Sequence, residues 1–127
     1  IGITLGAFVK FTKMKRVDES SNALTYFVTL AIGGVSEPAI YGTGIRFEKP
    51  FLFMMLGGAI GSALSVILQA HVYSAVAHSG FLAALGFVGG STTNTVLGIL
   101  CAVISLLVAA VLTYLFGIDE KMLKVEQ

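Results

Sequence analysis

Gly33-Gly34-Val35-Ser36-Glu37-Pro38-Ala39-Ile40-Tyr41-Gly42 is the stretch on which the reading of this 127-residue chain turns. It follows Ala23 to Ile32, a run apolar except for Thr25 and Thr29, and places a carboxylate at its end. The nearest charged residues in sequence are Glu19 and Arg46. An ionisable side chain at membrane depth costs about 2.5–3.5 kcal/mol on the mildest insertion scale, so it usually faces a polar cavity or a substrate. Pro38 has no N–H to donate and pushes Glu37 away from helical backbone. The order Ser-Glu-Pro therefore predicts a chain reversal or helix break at Glu37, with free backbone groups around it. Gly33, Gly34 and Gly42 would clear side chains from the carboxylate, as glycine does where backbone approaches a ligand. The alternative is a structural carboxylate, capping backbone N–H groups at the tip or pairing with Arg46.

Outward from this break the composition is that of a membrane protein. Hydrophobic residues make up 56% and charged residues 12% of the chain, and mean hydropathy is +0.91. From Pro50 to Ile118 there is no Asp, Glu, Lys or Arg. A span needs about 20 apolar residues, so this stretch has room for two. A net charge of +1, with no basic stripe interleaved with aromatics, argues against nucleic acid as a partner.

The expected fold is an all-α membrane protein: a re-entrant helical hairpin over residues 22–45, then transmembrane helices over 51–76 and 94–116. Residues 1–9 read as the end of a preceding helix, and 119–127 as a polar tail or linker. The whole reads as a piece of something longer. Asp18 to Asn22 is polar and predicts a helix start near Ser21 or Asn22. A single full span over 22–45 would put Arg46 and Lys49 opposite Lys10, Lys13, Lys15 and Arg16. A re-entrant hairpin instead leaves every basic group on one face, and the loop near Ala77–Asn94, which has no Lys or Arg, on the other. The positive-inside rule favours the hairpin, with its basic face cytoplasmic. Free backbone at its tip is tolerated only inside protein or along a wet cavity.

Within the first expected span, Gly57-x-x-x-Gly61 and Gly58-x-x-x-Ser62 put small residues one turn apart and allow close helix approach. Gln69 and His71 fall in its C-terminal half, as a polar face against other helices or a pathway lining. His78 reads as a loop residue. Cys101 stands alone in the second span, with no partner for a disulfide or a CxxC site, and reads as a buried, inert thiol. No ligand spacing suggests a metal, no glycine-rich phosphate motif suggests a nucleotide, and no serine has an activating base beside it. Neither metal nor cofactor is expected.

The run Gly34 to Gly42, with Ile45-Arg46 and Lys49-Pro50-Phe51 after it, resembles the G-[IV]-[TS]-E-P-A-I-Y-G signature of enzyme IIC components. These are the membrane channels of the bacterial sugar phosphotransferase system, glucose superfamily. The Ala39-Ile40-Tyr41-Gly42 continuation resembles the β-glucoside, sucrose and trehalose branch, and the basic stretch Lys10 to Arg16 also fits. The likeness covers essentially the whole chain, as the C-terminal part of such a domain.

The resemblance implies a multi-pass protein of the bacterial inner membrane, dimeric, with the sugar held partly by re-entrant hairpins. It implies that Glu37 binds sugar hydroxyls, beside Ser36 and Gly34, and helps position the acceptor hydroxyl. The phosphoryl group would come from a phosphocysteine of a partner IIB domain, itself charged by IIA. The family's histidine belongs to an earlier hairpin, and Cys101 is in the wrong context to be the phosphocysteine. No catalytic residue is therefore assigned to this chain alone. Ser36 stands where threonine is commoner and keeps the hydroxyl. A second reading from the residues is half of an ion-coupled secondary transporter, with Glu37 as a proton or ion site in a broken helix.

Overall fold

The structure is a computed structural model that describes residues 1–74 and 80–125. Among these residues it is helical, with no strand. Helix α1 (Gly2–Lys13) leads to α2 (Val17–Ala31). A single turn, α3 (Glu37–Ala39), continues without a break into a π turn, Ile40–Ile45. Helix α4 (Lys49–Ile67) follows, then a 3-10 helix (Gly80–Phe87). Helix α5 (Thr92–Leu112) runs on as a second π turn (Thr113–Gly117), and α6 (Glu120–Val125) closes the described chain.

Two of these helices are long and apolar enough to cross a membrane: Lys49–Ile67, and α5 with its π turn, Thr92–Gly117. Their packing is set by small residues. A Cβ on Gly57 would lie 2.9 Å from the Ser105 carbonyl oxygen, and one on Gly61 would lie 2.6 Å from the Ser105 Cβ. Ser105 Oγ donates to the Gly57 carbonyl at 2.7 Å. The contacts run in opposite sequence directions, so α4 and α5 are antiparallel. Gly57-x-x-x-Gly61 thus forms the predicted seam. Gly58 does not: its missing Cβ would meet open space, and Gly58 and Ser62 are both exposed.

The other side of α5 repeats the device. Gly2 meets Leu106 and Ala109, and Gly6 meets Ala110 and Thr113. Here the contacts advance together, so α1 lies parallel to α5. Ala109 is the hub: its Cβ would be 2.8 Å from a Cβ on Gly2 and 3.0 Å from one on Gly57. The remaining faces are apolar and exposed, Leu52, Met55, Leu56 and Ile60 on α4 and Ile99, Val103, Leu107 and Val111 on α5. Such faces suit hydrocarbon, which has no preference for burying them.

Charged groups gather at one end of this trunk. Lys13 Nζ donates to Tyr114 Oη at 2.8 Å, Lys49 pairs with Asp119 at 2.6 Å, and Arg46 holds Glu19 through two hydrogen bonds of 2.8 and 2.9 Å. Beneath them lies a small core of Ala7, Phe11, Ala23, Phe47, Ile118 and Leu123. The expected polar tail is therefore helical over Glu120–Val125 and anchors Leu123 in that core.

Three boundaries differ from expectation. Helix α2 starts at Val17 rather than near Ser21, because Asp18 and Glu19 occupy its first turn, where carboxylates oppose the positive end of the helix dipole. Helix α4 stops at Ile67, not at Val76, which lies outside the described residues. Gln69 takes a left-handed backbone (φ +52), and the Asn94 side chain grips the next segment. Its Oδ1 accepts from His71 N at 2.7 Å, and its Nδ2 donates to the carbonyls of His71 at 2.8 Å and Phe87 at 3.2 Å. Gln69 and His71 are thus exposed loop residues rather than part of a helix face. The second span is longer than expected, because Ser91 caps it by accepting from Asn94 N at 3.2 Å. His78 lies outside the described residues.

Candidate functional site: the turn bearing Glu37

Helix α2 ends in a left-handed cap. Gly34 has φ +71, and its N–H donates to the Leu30 carbonyl at 3.1 Å. This is the αL arrangement that glycine adopts without a Cβ penalty. Val35 N then reaches the Thr29 carbonyl at 3.4 Å. The chain turns over Val35 and Ser36 and re-enters helix at Glu37, where the Ser36 carbonyl accepts from Ile40 N at 3.0 Å.

Glu37 is therefore the first residue of a helical turn, contrary to the expectation that Pro38 would hold it outside helical backbone. At the start of a helix the N–H that proline lacks has no partner to lose. The break falls one step earlier, between Ile32 and Ser36.

The returning limb packs antiparallel against α2. Arg46 and Glu19 join the two feet. Midway up, the Tyr26 ring lies against Gly42, where a Cβ would sit 2.5 Å from Cζ and 2.9 Å from Oη. Thr43 and Gly44 are buried on the inner side. Near the tip, Gly80 and the 3-10 helix close over the end of α2. A Cβ on Gly80 would lie 2.6 Å from the carbonyl oxygens of Leu30 and Ala31, and Phe81 meets Phe27 edge-on at 6.3 Å.

Of the three residues expected at a binding site, Glu37 is exposed and Ser36 and Gly34 are half-buried. Among the described residues, no hydrogen bond or ion pair engages the Glu37 carboxylate. Among the described residues neither structural role considered for it, a cap on backbone N–H groups at the tip or an ion pair with Arg46, is seen, and Arg46 binds Glu19. The glycines act differently from expectation. A Cβ on Gly33 would meet the Thr29 carbonyl oxygen at 2.7 Å, Gly34 supplies a left-handed φ, and Gly42 seats Tyr26. They shape the turn itself rather than empty space beside the carboxylate.

Tyr26 went unremarked in the sequence, although a signal was available: Tyr26 and Gly42 lie at equal distances in sequence from Gly34, a spacing that can bring two residues together across a turn. Asn94 carried no such signal, because its partners come from the distant loop.

The two larger hollows among the described residues lie elsewhere. An apolar cavity of about 460 Å³ between α4, α5 and the 3-10 helix is lined by residues including Met54, Phe81, Phe87 and Leu106, and excludes Glu37. A polar cleft of about 560 Å³ at the charged end is lined by Lys15, Arg16, Asp18, Glu19 and Arg46. Cys101 is buried against the α4 seam. Among the described residues, no three His, Cys, Asp or Glu side chains cluster as metal ligands would.

Sequence comparison identifies relatives of this arrangement. The chain is 30% identical over 114 residues to the PTS system beta-glucoside-specific EIIBCA component of Bacillus subtilis (strain 168), covering 90% of the chain and 18% of that protein. It is 32% identical over 79 residues to the sucrose-specific EIIBC component of the same organism, covering 61% of the chain and 17% of that protein. It is 24% identical over 108 residues to the arbutin-, cellobiose-, and salicin-specific EIIBC component of Escherichia coli (strain K12), covering 85% of the chain and 22% of that protein. The chain thus spans less than a quarter of the length of these relatives. No protein-family model and no solved structure matches it.

Proposed function

We propose, on the premise that this chain is an EIIC-type component of the sugar phosphotransferase system, that Glu37 binds the sugar at the tip of a re-entrant hairpin. The observation that carries this reading is the unengaged Glu37 carboxylate on a folded-back turn. Both feet of the hairpin, Glu19 and Arg46, lie at the charged end of the trunk. Helix α2, at 15 residues, rises about 22 Å, short of the roughly 30 Å hydrocarbon core. Its tip would then sit at membrane depth, enclosed by protein, as free backbone there requires.

The chemistry suits a polyol. A carboxylate accepts strong, charge-assisted hydrogen bonds from sugar hydroxyls. The hydroxyl oxygen of the bound sugar would attack the phosphorus of a phosphocysteine on the partner IIB domain. The S–P bond breaks, the thiolate leaves, and the hydroxyl proton departs toward Glu37 or water. Phosphoryl transfer is mostly positioning and electrostatics, so a carboxylate held against the acceptor hydroxyl would be a substantial contribution. Ser36 and Gly34 would shape the same pocket. The substrate would be a β-glucoside or sucrose-type sugar, by analogy with the relatives. The complete protein would lie in the bacterial inner membrane as a multi-pass homodimer working with IIB and IIA domains.

The test is phosphoenolpyruvate-dependent phosphorylation of a β-glucoside by membranes carrying the full-length parent, with Glu37→Gln beside wild type. Activity lost in the variant at equal membrane abundance supports the reading. Wild-type activity in the variant removes Glu37 from it. Uptake that follows an ion gradient without phosphoenolpyruvate replaces it with the secondary-transporter reading.

A further inference from the structure

We propose that Tyr26 is a positioning residue for Glu37, acting through Gly42 and the π turn; this rests on the sugar-binding reading of Glu37. The segment from Glu37 to Arg46 is fixed at one end, where Arg46 holds Glu19 by two hydrogen bonds. At the other end stand Glu37, exposed, and the glycine hinge at Gly34 (φ +71). Between them the chain is π-helical over six residues, Ile40–Ile45. Such wide turns are rare and collect at functional sites.

A π turn amounts to one extra residue in a helix. Losing it would swing the free end by about 100° and advance it by about 1.5 Å, the step of one α-helical residue. With Arg46 held, the swing falls on Glu37. Resistance to that swing is visible in the middle of the segment. The Tyr26 ring occupies the place of a Gly42 side chain, so any larger residue there must displace the ring. The register that presents Glu37 is the one that brings Gly42, rather than Tyr41 or Thr43, beneath the ring. Gly42 is then required by an aromatic side chain of α2, not by close approach of the sugar.

The two explanations of Gly42 separate in a double-variant experiment on the full-length parent in membranes. Phosphoenolpyruvate-dependent phosphorylation of a β-glucoside is measured at equal protein abundance. Gly42→Ala drives a methyl into the Tyr26 ring and should raise KM and lower kcat/KM by about 100-fold, as small misplacements of a reacting group can. Tyr26→Ala vacates the ring's space. The double variant Gly42→Ala with Tyr26→Ala should therefore recover at least about tenfold, roughly 1.4 kcal/mol, over Gly42→Ala alone, and the coupling exceeds that by whatever Tyr26→Ala costs by itself. Tyr26→Phe keeps the ring and should stay close to wild type.

Losses that simply multiply in the double variant would overturn the proposal, because Gly42 would then serve the sugar. Tyr26→Phe as damaging as Tyr26→Ala would also overturn it, by making the hydroxyl a direct sugar ligand. A kcat/KM left unchanged in Gly42→Ala would overturn it too. If Gly42→Ala fails to accumulate, the deciding measurement is Tyr26→Ala in the Glu37→Gln background. A positioning residue acting through Glu37 adds no further rise in Kd for β-glucoside binding there, whereas an independent rise overturns the proposal. A wild-type parent without phosphoenolpyruvate-dependent activity refutes the sugar-binding reading itself, a result distinct from each of these.

Discussion

The α4–α5 seam and the turn bearing Glu37 are both built on glycine, and they use it to opposite ends. In the seam, Gly57 and Gly61 remove side chains so that helices 48 residues apart in sequence touch almost backbone to backbone, with Ser105 Oγ bonded to the Gly57 carbonyl. That contact has no slack. In the turn, Gly34 permits a left-handed φ and Gly42 accepts an aromatic ring. The result is a limb pinned at its base and open at its tip. The difference separates a region whose helices are locked together from one that leaves a side chain exposed at its end. In the second, no partner among the described residues engages the Glu37 carboxylate.

That contrast breaks first, and most severely, at Glu37. Glu37→Gln should lower phosphoenolpyruvate-dependent phosphorylation by about 100-fold or more, within the range for removing a proton-handling group, and leave the thermal stability of the purified parent unchanged. A variant that keeps its rate but melts earlier would move Glu37 into the structural half of the comparison. Next comes Ala109→Leu, which presses on Gly2 and Gly57 at once. Overpacking of this kind costs about 1–3 kcal/mol, and the two-sided contact puts the expected loss at the upper end, read as a fall in Tm in detergent. Unchanged Tm would mean that the trunk is looser than its contacts suggest.

Ser105→Ala tests the seam more gently. Removing an interhelical hydrogen bond in a membrane protein costs about 0.6 kcal/mol on average, so Tm should fall slightly and activity should hold.

The smallest effect belongs to Asp119. The hydrogen bond and charge of Lys49, aided by Lys121 and Lys10, hold its carboxyl below the usual range. A carboxylate with a depressed folded pKa stabilises above its unfolded pKa and loses that contribution as pH falls through the folded value. The gap in Tm between wild type and Asp119→Asn should therefore be present at neutral pH and close in acid. Because both partners are exposed, it should also shrink with added salt.

The sequence was legible where local chemistry decides the outcome. Gly57-x-x-x-Gly61 announced a helix seam, and the charge-free run after Pro50 announced two spans. It misled where a distant partner decides. Nothing in Leu68-Gln69-Ala70-His71 reads as a helix stop, since no Gly or Pro is present. The stop comes from Asn94, 23 residues beyond His71, whose amide takes both backbone groups of His71. Leu123 was hidden for a similar reason: Met122, Leu123 and Val125 make too short a run in a polar tail to show a period, yet Leu123 fills the core beside Phe11 and Phe47. At Glu37 the carboxylate was plain from sequence, but its helical backbone was not, because proline's preference yields at a helix start.

Ala109 has a consequence for how such a sequence can drift. It touches α1 and α4 together, and its neighbours there are already glycine. A larger residue at 109 has nothing left to trim on either side, so no single compensating change can follow it. Divergence at this position therefore requires two helices to retreat in step, a coordinated event that point mutation seldom supplies. Among relatives only about a third identical to this chain, the trunk axis at 109 should be one of the slowest clocks in the domain.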